Sequence, residues 1–373
     1  MKTRFSFFAA TLIATLAVPC FAQTAVPCEV PSPAPCQVVM SELDNPRDLA
    51  FGPEGALYVA EAGRGGTGPT FFSNRQLNCY GPSGAITRYW RGEKERVVTG
   101  LPSMAACGTG FRAVGPVGVS FHGRGGGYAV IGLEADPRRR SEMGDVGDYF
   151  ARLVRFQPSG QWKFVADLGQ WEVDNNPVGD DPNTPIAERV DSNPFRVLAE
   201  PAGHLIVDAG GNDLLRVAAN GEISLEAVFP AKPQRPVDSV PTSIVVGPDG
   251  AYYISELTGF PFSPGAANIY RFVPGGQPEV FLSGFRTVMD IAFTEEGNLY
   301  VLEHSFLGGF GSPGVLKRVE LNGCTVSANL CPRTIVRTGM KRPTSIALGS
   351  EGEVYVTVNS LEAGAGEVWR INP

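Results

Sequence analysis

The sequence has little from which to build a transition-metal site or a hydrolase nucleophile. It carries three histidines in 373 residues and no CxxC pair, so a zinc site of Cys and His spacing is set aside. It has no GxSxG, which removes the nucleophile elbow of α/β hydrolases. Basic residues are outnumbered, 31 Lys and Arg against 38 Asp and Glu, and the net charge is −7. A nucleic-acid partner needs a basic face, and the run Arg138-Arg139-Arg140 is too short to make one. Beyond the N-terminal segment no apolar run is long enough to span a bilayer.

What is present is 46 Gly and 31 Pro among short apolar runs, the composition of a chain with many turns. Lys2 and Arg4 precede an apolar run from Phe5 to Val18, and Cys20-Phe21-Ala22 places a small residue on each side of Phe21. This reads as a signal peptide, residues 1–22, cleaved after Ala22. Pro19 ahead of Cys20 disfavours a lipoprotein. The expected mature chain, 23–373, is a single domain that is periplasmic or extracellular. Seven cysteines become six once Cys20 leaves, an even count that suits an oxidising compartment. Of the pairings six cysteines allow, nearness favours Cys28–Cys36 and Cys324–Cys331, leaving Cys79–Cys107.

A repeat organises the rest. The phrases "GPEGALYVAEAG" from Gly52, "GPDGAYYISELTG" from Gly247, "TEEGNLYVLEHS" from Thr294 and "GSEGEVYVTVNS" from Gly349 align on a turn glycine. The column Gly55, Gly126, Gly203, Gly250, Gly297, Gly352 has spacings of 71, 77, 47, 47 and 55 residues. The shorter values suit a four-stranded propeller blade of roughly 40–50 residues. The longer ones imply insertions at Ala62–Ala85, Ala135–Ala151 and Glu172–Val190. Two further columns support the unit. Pro46, Pro116, Pro194, Pro241 and Pro343 precede its first strand, with Val288 in the fifth unit, and Pro suits a strand start. Arg88, Arg155, Arg216, Arg271, Arg318 and Arg370 recur in its third strand. An Arg in every unit points to a structural bond with a turn carbonyl or carboxylate. The last unit lacks a fourth strand, and "VVMSELDNP" from Val38 resembles "IVRTGMKRP" from Ile335, which is one. The expected fold is therefore an all-β, six-bladed β-propeller of four-stranded antiparallel blades. Its N-terminal strand closes the last blade, which removes an open sheet edge.

In such a meander, the ends of the second strands and the starts of the first share one face, around the central channel. Glu61, Glu256 and Glu303 each fall six residues after their turn glycine, so they are expected at that mouth. Glu134, Asp208 and Asn359 end the other second strands, and Asp48 and Asp290 stand near first-strand starts. Three carboxylates about 7 Å apart repel by roughly 2 kcal/mol per pair at an effective dielectric of about 20. They would need water, a basic partner, a proton or a cation, and oxygen ligands suit Ca²⁺ or Mg²⁺. The expected metal set is Glu61, Glu256 and Glu303, with Ca²⁺ as the possible cofactor. The plainer reading is that these acids receive blade-end N–H groups or bind arginines.

Other expected ligand contacts are Asp208, Asn212 and Asp213 in "DAGGNDLLRV", Asn359, and the aromatics Phe260 and Phe262 on an overhanging loop. Gly210-Gly211-Asn212-Asp213 also reads as an ordinary hairpin turn. Glu303 and His304 are the catalytic candidates, His304 being the one histidine on that face. The Asp- and Asn-rich "DNNPVGDDPNTP" from Asp174 reads as a solvated turn cluster or, second, as a Ca²⁺ loop.

The stretches "NPRDLAFGPEGALYVAEAGRGG", "CYGPSGAITRYW", "DSNPFRVLA", "DAGGNDLLRV", "VPTSIVVGPDGAYYISELTGFPF" and "GNLYVLE" run from Asn45 towards the C-terminus. Together they resemble the ScyD/ScyE family of exported β-propellers. The resemblance implies a secreted six-bladed propeller and assigns no catalytic residue. Members often have a Cys soon after "GRGG"; here "GPTFFSNRQLNC" has only Cys79. More distantly, the chain is similar to NHL-type and gluconolactonase-like propellers. The latter hold a divalent cation at the channel mouth with Glu, Asn and Asp, parts that Glu61, Asn212 and Asp208 or Glu256 could fill. The leading expectation is a monomer binding a small organic or secondary-metabolite ligand at an acidic mouth. The alternatives are a cation-dependent, lactonase-like hydrolase and a protein-interaction scaffold.

Overall fold

The computed structural model describes residues 26–28, 34–179, 190–231, 237–305, 311–326 and 329–373. The expected signal peptide, 1–22, and residues 180–189 of the acidic insertion lie outside them.

Six antiparallel sheets form a ring, a six-bladed β-propeller. Within a blade the strands run A to D from the axis outward. Strand A is Pro46–Phe51, Pro116–Phe121, Pro194–Glu200, Pro241–Val246, Val288–Phe293 and Ile346–Leu348 in blades 1 to 6. The fourth blade shows why the repeat folds this way. Gly247-Pro248-Asp249-Gly250 makes a tight turn in which Gly250 takes φ +77° and donates to Gly247 O at 3.0 Å. Gly accepts positive φ without the cost a Cβ would bring. The turn pairs Pro241–Val246 with Tyr252–Glu256, and Ala267–Phe272 and Glu279–Phe285 follow outward.

Burial tracks the radial position. Strand B of blade 3, Gly203–Asp208, is buried at every residue, whereas strand D of blade 4 alternates towards solvent. A strand sandwiched between two neighbouring blades buries both faces. The six principal apolar clusters mark those junctions, one between each consecutive pair of blades. Between blades 1 and 2, for example, Phe121 packs on Tyr58 and Phe156 at ring separations of 4.6 and 5.6 Å.

The ring closes as expected. Cys36–Leu43 is the fourth strand of the last blade, edged by the short strand Val26–Pro27, and pairs antiparallel with Gly366–Ile371, with Val38 opposite Trp369. Met40 and Leu43 are almost wholly buried at the junction of blades 6 and 1. All six third-strand arginines do the structural work expected of them. Arg88 meets Glu95, Arg216 meets Glu226, Arg271 meets Asp249, Arg318 meets Glu320, Arg370 meets Glu353, and Arg155 donates to the turn carbonyl of Gly125.

The insertions carry structure of their own. The first holds a short strand, Thr70–Ser73, hydrogen-bonded to the start of the long strand Gln76–Trp90. The second is a helical run, Pro137–Tyr149. An α-helix, Leu168–Asn175, leads away from blade 2, its first turn capped by Asp167 accepting from Gln170 N. Cysteines pair as Cys28–Cys36, Cys79–Cys107 and Cys324–Cys331, with Cα separations of 5.6, 5.0 and 4.9 Å. No described helix is long and apolar enough to cross a membrane.

The axis is closed by a charged network that every blade joins. Arg196 of blade 3 spans between Asp48 of blade 1 and Asp290 of blade 5, contacting Asp290 at 2.9 Å. Ser345 Oγ of blade 6 lies 2.8 Å from a carboxylate oxygen of both Asp48 and Asp290, which share its one proton. Ser243 of blade 4 donates to Asp290 at 2.6 Å, and Val119 N of blade 2 donates to Asp48 at 2.8 Å. Asp48 and Asp290, expected at the mouth, are thus buried counter-ions of one guanidinium.

Candidate functional site: the channel mouth

A cavity of about 380 Å³ opens on the face where strands B end and strands A begin. It is lined by Arg47, Phe195, Thr242 and Met289 of strands A and by Thr344, just before strand A of blade 6. Each stands one residue before a member of the axial network: Asp48, Arg196, Ser243, Asp290 and Ser345. The network is therefore the floor of the cavity.

Charge in the cavity is segregated around the ring. Arg342 precedes blade 6, Arg47 opens blade 1 and Arg112 precedes blade 2. Arg342 pairs with Glu362 at 2.9 Å and Arg112 with Glu134 at 3.2 Å. Glu134 also accepts from Asn74 at 2.6 Å. Across the mouth, Asp191 and Asp238 sit on the loops entering blades 3 and 4 and keep accessible surface in the cavity. Crowding by the surrounding loops, then repulsion by Asp208 and Glu134, pushes the Asp191 carboxyl above the usual carboxylate range, and its open solvent face limits the shift. His304, from blade 5, is 2% exposed, and its Nδ1 lies 3.0 Å from Pro343 O. Burial first, with Arg47 and Arg342 nearby, lowers its pKa to about 4, so it is neutral at physiological pH.

The acids expected to converge do not. Glu61, Glu256 and Glu303 are buried in their own blades, and none lines the cavity. Glu61 accepts from Asp44 N at 2.6 Å, from Thr87 Oγ1, and from Arg96 at 2.7 and 3.0 Å. Glu256 accepts from Ser239 Oγ at 2.5 Å, Asn268 N at 2.7 Å and the Tyr270 hydroxyl at 3.0 Å. Glu303 accepts from Arg286 N at 3.1 Å and Lys317 Nζ at 2.8 Å. Asp208 accepts from Ser192 Oγ, Asn193 N, Gly210 N and Gly211 N at 2.6–2.9 Å.

A common cause emerges. In blades 1, 3, 4 and 5 the acid ending strand B bonds the residue two positions before strand A: Asp44, Ser192, Ser239 or Arg286. The acid ties down the loop that enters the blade, which is why the strand ends on one. These bonds point the carboxylates away from the shared mouth. Among the described residues no group of three or more His, Cys, Asp or Glu is placed to hold a metal ion, and the expected Glu61, Glu256, Glu303 set is not such a group.

The remaining expected contacts also fall outside the lining. Asn212 takes φ +57° in its turn, and its Oδ1 accepts from Val240 N at 2.8 Å, joining blade 3 to blade 4. Asn359 is a left-handed turn residue (φ +54°) whose N–H donates to Lys341 O. Phe260 is 80% exposed and packs edge-on to Phe262. Of the expected catalytic, ligand and metal residues His304 alone lines the cavity, joined there by Glu134, one of the other acids expected at a second-strand end.

Asp213 is wholly buried and receives no bond from a backbone N–H, hydroxyl or amide; its one side-chain partner is the Glu172 carboxyl. It couples to Glu172, from the helix Leu168–Asn175, whose carboxyl rests against Gly211: a Cβ built there would stand 3.2 Å from Glu172 Cδ. Burial first, then Asp208, pushes Glu172 up to about 8; burial and then Glu172 hold Asp213 well above the usual carboxylate range. The folded chain thus keeps a proton that the unfolded chain releases, so stability falls as pH rises from about 4.5 through about 8. Glu172→Gln is expected to exceed the wild type in stability by about 1–3 kcal/mol at about pH 9 and by less at about pH 5. Urea midpoints at the two pH values measure this; a difference independent of pH would contradict it.

The arginines and Asp191, Asp238 were missed at the sequence level, yet they had a signal. Asp191, Asp238 and Arg342 stand one to three residues ahead of the proline column, in "DSNP", "DSVP" and "KRP", and Arg47 directly follows Pro46.

No family model and no curated protein matches the sequence. Among solved structures, the chain superposes on a putative oxidoreductase (glucose dehydrogenase) of Thermus thermophilus. The TM-score is 0.53 at 18% identity, over 91% of this chain and 100% of the other. It also superposes on a gluconolactonase of Xanthomonas campestris, with TM-score 0.52 at 10% identity, over 93% and 97% of the two chains. The likeness shows the fold: this chain shares the six-bladed architecture of gluconolactonase-like and NHL-like propellers.

Proposed function

We propose that this protein is an exported propeller of the ScyD/ScyE kind that binds a small organic molecule in the mouth cavity. The observation that carries the reading is the cavity itself. Its volume lies at the small end of the usual range for ligand pockets. Its walls combine Phe111, Phe195, Leu257 and Met289 with converging arginines and aspartates, the mixture that buries an organic body while fixing its polar ends. The disulfides and the sequence resemblance support an oxidising location outside the cytoplasm.

A thermal-shift screen of lactones, phenolics and divalent ions tests this. A ligand at a hundred times its Kd should stabilise by about 2.7 kcal/mol. Leu257→Trp, which fills the cavity, should abolish that shift. An equal shift in Leu257→Trp would place binding elsewhere.

Asp191 favours one second reading, a lactonase-like hydrolase. A carboxyl that opens on a cavity and has its proton affinity raised by neighbouring acids suits general acid–base work. Product formation from a lactone, lost in Asp191→Asn with binding retained, would favour it over a pure binder. This reading places no cation on Glu61, Glu256 and Glu303, whose carboxylates are bonded in separate blades.

A further inference from the structure

We propose that the mouth cavity takes a small organic carboxylate and that the Arg47 guanidinium binds its anionic end. The inference rests on the small-molecule reading above and names the ligand class. Arg47 is 7% exposed and lines the cavity. A guanidinium carries five N–H donors. One of them, on Nη2, meets Ala113 O at 2.6 Å. Among the described residues no carboxylate stands within ion-pair distance of it. The two other cavity arginines are engaged, Arg112 with Glu134 and Arg342 with Glu362.

A buried cation without a counter-ion is costly, and an incoming carboxylate can answer it through two parallel N–H···O bonds. Burial, opposed by the Glu134 carboxylate from beyond ion-pair reach and reinforced by Arg112, lowers the Arg47 pKa to about 10, so the group is still charged when the ligand arrives.

The layout around the ring orients the ligand. Arg342, Arg47 and Arg112 stand on consecutive blades; with Arg342 and Arg112 paired to Glu362 and Glu134, Arg47 carries the net positive charge of that side. Asp191 and Asp238 face them from blades 3 and 4, with Val240, Leu257 and Met289 contributing apolar wall. The carboxylate end is therefore drawn to Arg47, and a hydroxyl or ammonium donor at the far end meets Asp191. A ring of acids at this mouth would select the opposite polarity.

Titration calorimetry on the mature chain with three matched probes tests the assignment: phloretate, its primary amide and tyramine. Phloretate is expected to bind at least about tenfold more tightly than the amide, with tyramine no tighter than the amide. In Arg47→Gln that preference should fall to within about threefold of one while amide binding persists; Arg47→Lys should keep part of it, since a lysine supplies charge without the fork. Should Arg47→Gln fail to fold, added chloride must weaken phloretate and spare the amide in the wild type. Equal binding of amide or tyramine, or an undiminished preference in Arg47→Gln, overturns the carboxylate assignment and leaves the small-molecule reading standing. Silence from all three probes also overturns it, and the broader reading then stands or falls by the screen.

Discussion

Arg196→Met is expected to destabilise the protein by about 3–5 kcal/mol, among the largest losses any single substitution here should cause. The side chain is 7% exposed and stands between Asp48 and Asp290, which are 2% and 3% exposed. Removing the guanidinium leaves two buried carboxylates sharing Ser345 with no counter-ion. Their proton affinity must then rise. A carboxyl whose folded pKa is raised binds a proton that the unfolded chain has lost, so the variant should regain stability as pH falls towards about 5. Denaturant midpoints of both proteins at about pH 5 and pH 8 give the comparison. A loss below about 1 kcal/mol, or one that does not shrink in acid, would mean that the axial network is not what holds the six A strands together.

Deleting residues 23–43 should do more damage still. The segment supplies the fourth strand of the last blade, and Met40 and Leu43 fill the junction between blades 6 and 1. Without it, Gly366–Ile371 becomes an open edge with unpaired N–H and C=O groups, a template for self-association. The truncated chain is expected to lose its single cooperative melting transition and to scatter light at micromolar concentration. A peptide covering Cys36–Leu43, added in trans, should restore part of the transition by adding back the strand. A truncated chain that melts within a few degrees of the full one would contradict the closure.

The architecture was legible because it is written in columns. Gly250 and its counterparts mark turns, prolines mark strand starts, Arg271 and its counterparts mark third strands, and Val38 repeats the pattern of Ile335. Such signals depend on local backbone geometry, which a short stretch carries by itself. The site was less legible because side-chain direction at a strand end depends on partners far along the chain. Glu61 turns to Arg96, 35 residues away, and Asp48 to Arg196. Nothing near Glu61 announces that its carboxylate ties down the loop at Asp44. The helix Leu168–Asn175 went unnoticed for a related reason: what buries Glu172 is Gly211 and Asp213, in the next blade. The mouth itself was one column away, in the residues that flank the proline column: Arg47, Phe195, Thr242, Met289 and Thr344 directly after it, and Asp191, Asp238 and Arg342 shortly before it.

The central claim is that a ligand sits above the axial network, against the inner end of the fifth blade. The chain contains six methionines. One of them, Met289, lines the cavity, whereas Met40, Met104, Met143 and Met340 are buried in blade junctions. Methyl-labelled methionine NMR during titration with a ligand from the screen is therefore the most direct measurement. The expected result is a saturable shift of the Met289 methyl with the four junction methyls unmoved. Saturable binding that leaves Met289 in place, or moves Met104 and Met340 instead, would contradict it.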